Sequence, residues 1–507
     1  MTHPKGSVLM VQGTASSAGK SLLVAGLCRL LRQAGYDVAP FKAQNMSNNA
    51  FVTLEGHEIG RAQAVQAQAA CTVPHVDMNP VLLKPEADHR SQVIVMGKAL
   101  ARLHAAAYHE AKQQIWGDVT AALDRLRARH DMVIIEGAGS PAEINLKARD
   151  ITNMSIARYA DAPVLLVGDI DRGGVFAHLY GTHALLEPDE QALVRGFVIN
   201  KLRGDPSLLE PGLRDIETMT GVPVAGVVPW ITGHRLPEED SMALDRRPGG
   251  ESHPGALDVA VLRLPRIANF DDFDPLEADT GVLVRYVTDP DALAGADLVI
   301  IPGTKATIDD LAWLRARGLD SAIERAHEAG AAVIGICGGF QALGGRIADP
   351  EGIESTRGSV DGLGMLGVET TFIAGKQTRQ TSATVVADRG LLAGGNGLEL
   401  TGYEIHAGVS SVTGETAISG PGGVLGALDP GGWLFGCYLH GLFRNDAFRQ
   451  TILANIARRR GKRYEPANIE TEDAAFDRLA DVLRSSLDLS LIDRLLAETA
   501  STSLQGG

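Results

Sequence analysis

Residues Val8–Gln12 form a short, mostly apolar run. It passes without a break into Gly13-Thr14-Ala15-Ser16-Ser17-Ala18-Gly19-Lys20-Ser21, and an apolar stretch reaching Gln33 follows. This order of strand, glycine loop, Lys-Ser and helix constrains the fold more than any other feature of the chain. Small residues let the backbone wrap closely around an anion, and N–H groups at a helix start point at it with the helix dipole behind them. Gly13, Thr14, Ser17, Ala18 and Gly19 would form the cradle, Lys20 would reach terminal phosphates, and Ser21 would offer its hydroxyl to Mg²⁺. Five residues separate Gly13 from Gly19, where the ordinary phosphate loop has four.

The loop opens a longer pattern of alternating strands and helices. Val38–Phe41, Met132–Glu136, Val164–Val167, Gly196–Asn200 and Val224–Val228 are short, continuous and rich in Val and Ile, as strands buried on both faces of a parallel sheet require. Helical stretches such as Lys20–Gln33 and Arg102–Arg129 lie between them, which predicts a doubly wound α/β domain over residues 1–231. Residues 232–256 lapse into Pro, Gly, Glu, Asp, Ser and His and read as a linker. A second α/β domain is expected over 257–450, with strands at Val259–Leu264, Leu298–Pro302 and Val333–Cys337 and a Gly-rich, β-prone stretch to about His440. Residues 451–507 read as a helical extension, periodic through Phe476–Leu496. No internal repeat is visible.

Composition narrows the partners. The chain has 507 residues and a formal net charge of -15, with no basic run longer than Arg458–Arg460, which argues against nucleic acid or an anionic membrane as a partner. Cys28, Cys71, Cys337 and Cys437 form no C-x-x-C pair, so neither a structural zinc nor a disulfide framework is expected. No signal-like segment or membrane-length apolar run is present, and the cytoplasm is the expected location.

The second half carries Val333-Ile334-Gly335-Ile336-Cys337-Gly338-Gly339-Phe340-Gln341. A strand ending in Gly-x-Cys-x-Gly is the cysteine form of a nucleophile elbow: the glycines permit a sharp turn that exposes the sulfur, and the Gly338 N–H is placed to hold an oxyanion. The turn at Gly303 would supply a second N–H. His440, at the end of the apolar run Trp433–Leu439, is the candidate base, with His406 as its rival. Cys437 and Cys28 read as packing residues, and Cys71 has no motif around it.

Several stretches also resemble known families. The five-residue loop spacing, with Pro40-Phe41-Lys42, Glu136-Gly137-Ala138-Gly139 and Gly196-Phe197-Val198-Ile199-Asn200, is similar to the dethiobiotin synthetase group, which uses ATP to activate a carboxylate-type oxygen. The likeness implies Lys42 near the phosphates, Glu136 on Mg²⁺ and Asn200 near the adenine. From its position alone Glu136, at the carboxyl end of a buried strand, either binds a metal or caps the next turn. The cysteine elbow resembles the class I glutamine amidotransferases, and Gln341, four residues after the cysteine, fits that pattern as a glutamine-site residue. The usual glutamate two residues past the histidine is replaced by Leu442.

That departure and the order of domains point to the amidases of the corrin ring, with the cobyric acid synthase family matching essentially the whole chain. Resembling stretches include Pro40–Asn49, Glu58–Gln68, Asn79–Pro85, Glu136–Leu146, Asp169–Ala177, Leu262–Pro275, Gly402–Gly408 and Tyr438–Phe443. The resemblance implies amidation of the b, d, e and g carboxylates of a corrinoid with ATP, Mg²⁺ and glutamine; nothing in composition or periodicity points to a corrinoid. The related a,c-diamide synthases share both chemistries. A nucleotide-switch ATPase with a degenerate second half is the reading from another class, and Leu442 is what supports it. Glu404 is a candidate to orient His440 in place of the missing glutamate. Asp169 and Asp171, on the ligand edge of the first sheet, could bind metal or substrate or cap the next helix. The oligomeric state is left open.

Overall fold

A computed structural model describes residues 6–87, 90–231, 255–467 and 469–503 of the chain. The expected linker, 232–256, lies outside the described residues except for its last two.

Six parallel strands form the first sheet, in the spatial order Val224–Pro229, Val194–Leu202, Val164–Asp169, Ser7–Gly13, Met132–Glu136 and Val38–Phe41. Val8, Ile134, Val164 and Ile199 are fully buried, which explains why these strands read as unbroken apolar runs. The chain leaves Ser7–Gly13 toward one side of the sheet and builds the later strands on the other. The carboxyl end of Ser7–Gly13 is therefore the point where the strand order reverses, the place where open α/β sheets form a crevice.

A second sheet begins with five parallel strands in the order Val282–Val287, Leu257–Leu262, Leu298–Ile301, Ala332–Ile336 and Leu434–Cys437. It continues through antiparallel Gly423–Leu428 and Glu415–Gly420 to the long hairpin Val368–Val385 and Glu399–Val412. Ile336 lies opposite Cys437, so the residues just beyond these two strands, Cys337 and His440, emerge side by side.

Three expectations change. The helix read from Arg102 begins at Ala105, because Lys98–His104 is a strand that pairs with Arg90–Val95, placing Arg102 opposite Gln92. The C-terminal periodicity is broken in the middle: helices span Glu472–Ser486 and Leu489–Ser503, and Leu487 between them is extended. That break satisfies an edge of the first sheet, since Leu487 bridges Gly226 and the Asp488 N–H donates to the Ala225 carbonyl at 2.7 Å. Helix Asp446–Arg459 runs through the expected boundary at 450 and packs Phe448, Ile452 and Ile456 into the core of the second sheet.

The last two helices return to the first sheet. Phe476, Leu479, Leu483, Ile492 and Leu495 share one core with Leu9, Val11, Val24 and Leu27, and the Val8 N–H donates to Thr499 Oγ1 at 3.2 Å. The approach is tight at Gly26, where an added methyl group would lie 2.5 Å from Leu483 Cδ1 and 2.9 Å from Leu479 Cγ. A Gly26→Leu variant should therefore overpack this contact and lose about 1–3 kcal/mol of stability, read as a lower thermal midpoint.

Candidate active sites

The nucleotide loop connects Ser7–Gly13 to the helix Lys20–Gln33. Gly19 has φ 96°, and an added methyl there would sit 2.2 Å from the Asn200 amide nitrogen, so glycine is required by conformation and by space. Lys20 folds back into the loop, its ammonium donating to the carbonyls of Ala15 at 2.9 Å and Gly139 at 3.1 Å. Asn200 Nδ2 donates to the Ala18 carbonyl at 2.9 Å. Thr14 is anchored by its N–H on the Val167 carbonyl, and Ser17 accepts from Arg172 at 2.7 Å.

Glu136 faces this loop from the neighbouring strand. Ser21 Oγ donates to its Oε1 at 2.8 Å, Lys42 Nζ lies 2.9 Å from the same oxygen, and Gln66 donates to Oε2. Burial pushes the Glu136 carboxyl upward, but Lys42 and the hydrogen bonds from Gln66 and Ser21 outweigh it and hold the group below its ordinary value. A buried carboxylate beside the loop serine is a hard-oxygen donor pair of the kind Mg²⁺ takes. Gln66 was not singled out from the sequence, because a glutamine inside an Ala-rich helix carries no motif.

Asp169 and Asp171 engage cations. Asp169 Oδ2 lies 2.8 Å from Lys201, whose ammonium also reaches the Ser17 carbonyl, and its Oδ1 accepts the Asp171 N–H. Asp171 pairs with Arg203 at 2.8 Å. Through Lys201, Asp169 thus braces the loop from the side. Among the described residues no cluster of three or more His, Cys, Asp or Glu side chains is arranged for a metal.

In the second half, Cys337 stands between the strand Ala332–Ile336 and the helix Gly338–Leu343 with φ 52° and ψ −108°. A non-glycine residue there is strained by about 1–3 kcal/mol, held in place by packing on both sides. A methyl added at Gly339 would lie 2.0 Å from the Ile301 carbonyl oxygen, so only glycine lets the elbow close onto the adjacent strand. Cys337 directs its sulfur at the Ile405 carbonyl, 3.7 Å away, and lines the same space as His440. The Gly303 turn flanks the same space: a methyl there would lie 3.1 Å from His440 Cε1 and 3.7 Å from Cys337 Cβ. Gln341 donates to the Ala407 carbonyl and the Tyr438 hydroxyl.

The residue that orients the histidine is Asp272. Its Oδ2 lies 2.7 Å from His440 Nδ1 and its Oδ1 accepts the Gly441 N–H at 2.7 Å. The suggestion that Glu404 does this is corrected: Glu404 pairs with Arg379 at 2.6 Å and meets His406 at 3.4 Å. His406 itself is stacked on Tyr438, ring centroids 3.7 Å apart. Burial would lower the His440 pKa, but the Asp272 carboxylate and the Cys337 sulfur raise it to about 10. The fixed Nδ1–carboxylate contact leaves Nε2 for the sulfur, the arrangement used by triad hydrolases.

Replacing Asp272 by Asn should cut glutamine hydrolysis by about 10²–10⁴-fold. Removing the carboxylate lowers the His440 pKa, so the imidazolium is lost sooner and the deficit should widen between about pH 7 and 9 in a pH–rate profile.

Residues 9–242 match the family described as CobQ/CobB/MinD/ParA nucleotide binding domain, and residues 258–448 match the CobB/CobQ-like glutamine amidotransferase domain. A cobyric acid synthase from Sorangium cellulosum is 52% identical, over 96% of this chain and 98% of that one. Those of Dehalococcoides mccartyi (strain CBDB1) and Chloroflexus aurantiacus are each 50% identical, covering 97% and 96% of this chain and 99% of theirs. A solved glutamine amidotransferase structure aligns with 39% of this chain and 98% of its own, at 17% identity and a TM-score of 0.30. Near-full-length identity of this order, with a nucleotide loop and a cysteine elbow in matching halves, places the chain in the cobyric acid synthase family.

Proposed function

We propose that the chain amidates the b, d, e and g carboxylates of adenosylcobyrinic acid a,c-diamide in cobalamin biosynthesis, using ATP and the ammonia of glutamine. The observation that carries this reading is the pairing, in one polypeptide, of the Cys337–His440–Asp272 arrangement with a phosphate loop facing the buried Glu136.

At the elbow, His440 takes the thiol proton and the Cys337 sulfur attacks the carboxamide carbon of glutamine. The oxyanion is held by the Gly338 N–H and the Gly303 turn. His440 then returns a proton to the departing ammonia. Water, losing its proton to His440, cleaves the thioester and releases glutamate.

At the loop, an oxygen of the substrate carboxylate attacks the γ-phosphorus of ATP and ADP leaves. Ammonia adds to the resulting acyl phosphate, and phosphate and a proton depart. Lys20 and Lys42 would counter the phosphate charge, and Asn200, bonded to the Ala18 carbonyl, would lie near the adenine. Ser21 and Glu136 would hold Mg²⁺, which when bound neutralises phosphate oxygens. The division of labour has a chemical reason: an unactivated carboxylate does not accept ammonia, and ammonia is scarce near neutral pH.

The test is Cys337→Ala. Amidation supported by glutamine should vanish, while amidation supported by high ammonium should persist, measured as amide formation on the corrinoid by mass spectrometry. Loss of both activities would sink the split into two centres. Efficient turnover of cobyrinic acid, instead of its a,c-diamide, would reassign the acceptor to the earlier amidation.

A further inference from the structure

Asp272 fixes one point of the His440 ring, its Nδ1. A single hydrogen bond lets a planar ring swing about it, and Nε2 is aimed only when the plane of the ring is held as well. Tyr403 covers that plane. The two rings are stacked, with centroids 5.3 Å apart and planes 18° from parallel. Their backbones are tied in both directions: the His440 N–H donates to the Tyr403 carbonyl at 2.9 Å, and the Tyr403 N–H donates to the His440 carbonyl at 3.2 Å.

What holds the buried Tyr403 comes in part from the other half of the chain. Its hydroxyl donates to the Ala50 carbonyl at 3.2 Å. Burial, with Asp271 and Asp272 nearby, pushes the phenol well above its ordinary value, so the hydroxyl keeps the proton this bond needs. Phe51 meets the Tyr403 ring with centroids 5.7 Å apart and planes tilted by 58°. Ala50, Val52, Leu82 and Ile94 of the nucleotide-binding half close one small core with Tyr403 and Ile405. Ile405 is the residue whose carbonyl faces the Cys337 sulfur. The neighbouring strand is bound across the same boundary, since Gln380, opposite Tyr403, donates its side-chain amide to the Val52 carbonyl. The cavity onto which Cys337 and His440 open is not lined, among the described residues, by Tyr403, so the tyrosine meets the site through the histidine.

We infer that Tyr403 is the positioning residue for the plane of the His440 ring, and that the nucleotide-binding half sets that plane through Ala50 and Phe51. The inference rests on the glutamine reading of the Cys337 site and adds that the thiol centre reaches its full rate only with the two halves docked. A residue that aims the histidine without touching the donor alters the rate of the chemical step and leaves donor binding as it was.

The experiment measures glutamate release from glutamine by the full-length enzyme, with ammonium-supported amidation as the control for folding. Tyr403→Phe keeps the stack and removes the bond to Ala50, so kcat should fall about three- to tenfold with KM unchanged. Tyr403→Leu removes the stack as well and should lower kcat about 100-fold. Phe51→Leu alters only the nucleotide-binding half, yet should lower the same kcat; combined with Tyr403→Phe it should cost less than the product of the two losses, because both act on one ring. The control activity should be retained in every variant. Should Tyr403→Leu lose it, Tyr403→Phe and Phe51→Leu decide by the same comparison of kcat with KM. A raised KM at unchanged kcat, unchanged kinetics in folded variants, or equal loss of both activities, the mark of a structural role, would overturn the assignment. Losses that simply multiply in the double variant would overturn the part given to the nucleotide-binding half. Wild-type protein that releases no glutamate from glutamine would instead sink the glutaminase reading itself.

Discussion

The contact between Asp272 and His440 is the interaction on which the arrangement of the two halves turns. Asp272 ends a run of four residues of which the first three join the halves and the last builds the site. The Asn269 side chain accepts the Ala50 N–H, and the Phe270 N–H donates to Asn49. Asp271 is paired with Arg61 at 2.9 Å, and Asp272 then holds the histidine. Buried charges of this kind add little net stability when paired but cost several kcal/mol when one partner is lost, so they set register more than they strengthen the fold. The acid of the thiol site is thus positioned by the same segment that docks the nucleotide-binding half. Arg61 opens the helix Arg61–Ala69, and Gln66 on that helix reaches Glu136 at the other centre.

Much of this could be read in advance, and the reasons are local. The strands of the first sheet are covered on both faces, so each had to be a continuous apolar run, and Gly13–Ser21 carries its own geometry in its small residues. The cysteine elbow was legible for the same reason: strain at Cys337 demands glycine within two residues on either side. Asp272 was not legible. It precedes its histidine by 168 residues in sequence, and it stands among Asp271 and Asp274, which look alike until the fold separates them. Leu442, where a glutamate was missed, is fully buried, and the acid arrives from the start of the amidotransferase half instead. The fate of the C-terminal helices was equally hidden, because an amphipathic period shows that a face is covered and not what covers it.

The two centres solve opposite electrostatic problems with related means. Around Glu136, Lys42 and two neutral donors stabilise one buried anion that faces a polyphosphate site. Around Cys337, an anion fixed on Nδ1 raises the basicity of an imidazole so that it can hold the proton that a leaving amine needs. Both depend on exclusion of water, and Glu136, Asp272 and His440 are all almost completely buried.

The return of the last helix to the first strand has a consequence for biosynthesis. Val8 and Thr499 are 491 residues apart in sequence yet share a hydrogen bond inside one core. A nascent chain emerging from the ribosome can pair its early strands, but the face of that sheet shared with the helix Lys20–Gln33 lacks part of its cover until residues as far as Thr499 have been made. The later half, whose core draws on nothing beyond Tyr464, can close first. Folding of this protein therefore runs against the usual order of synthesis, and its opening segment is the part that must be kept from sticking to its neighbours while it waits.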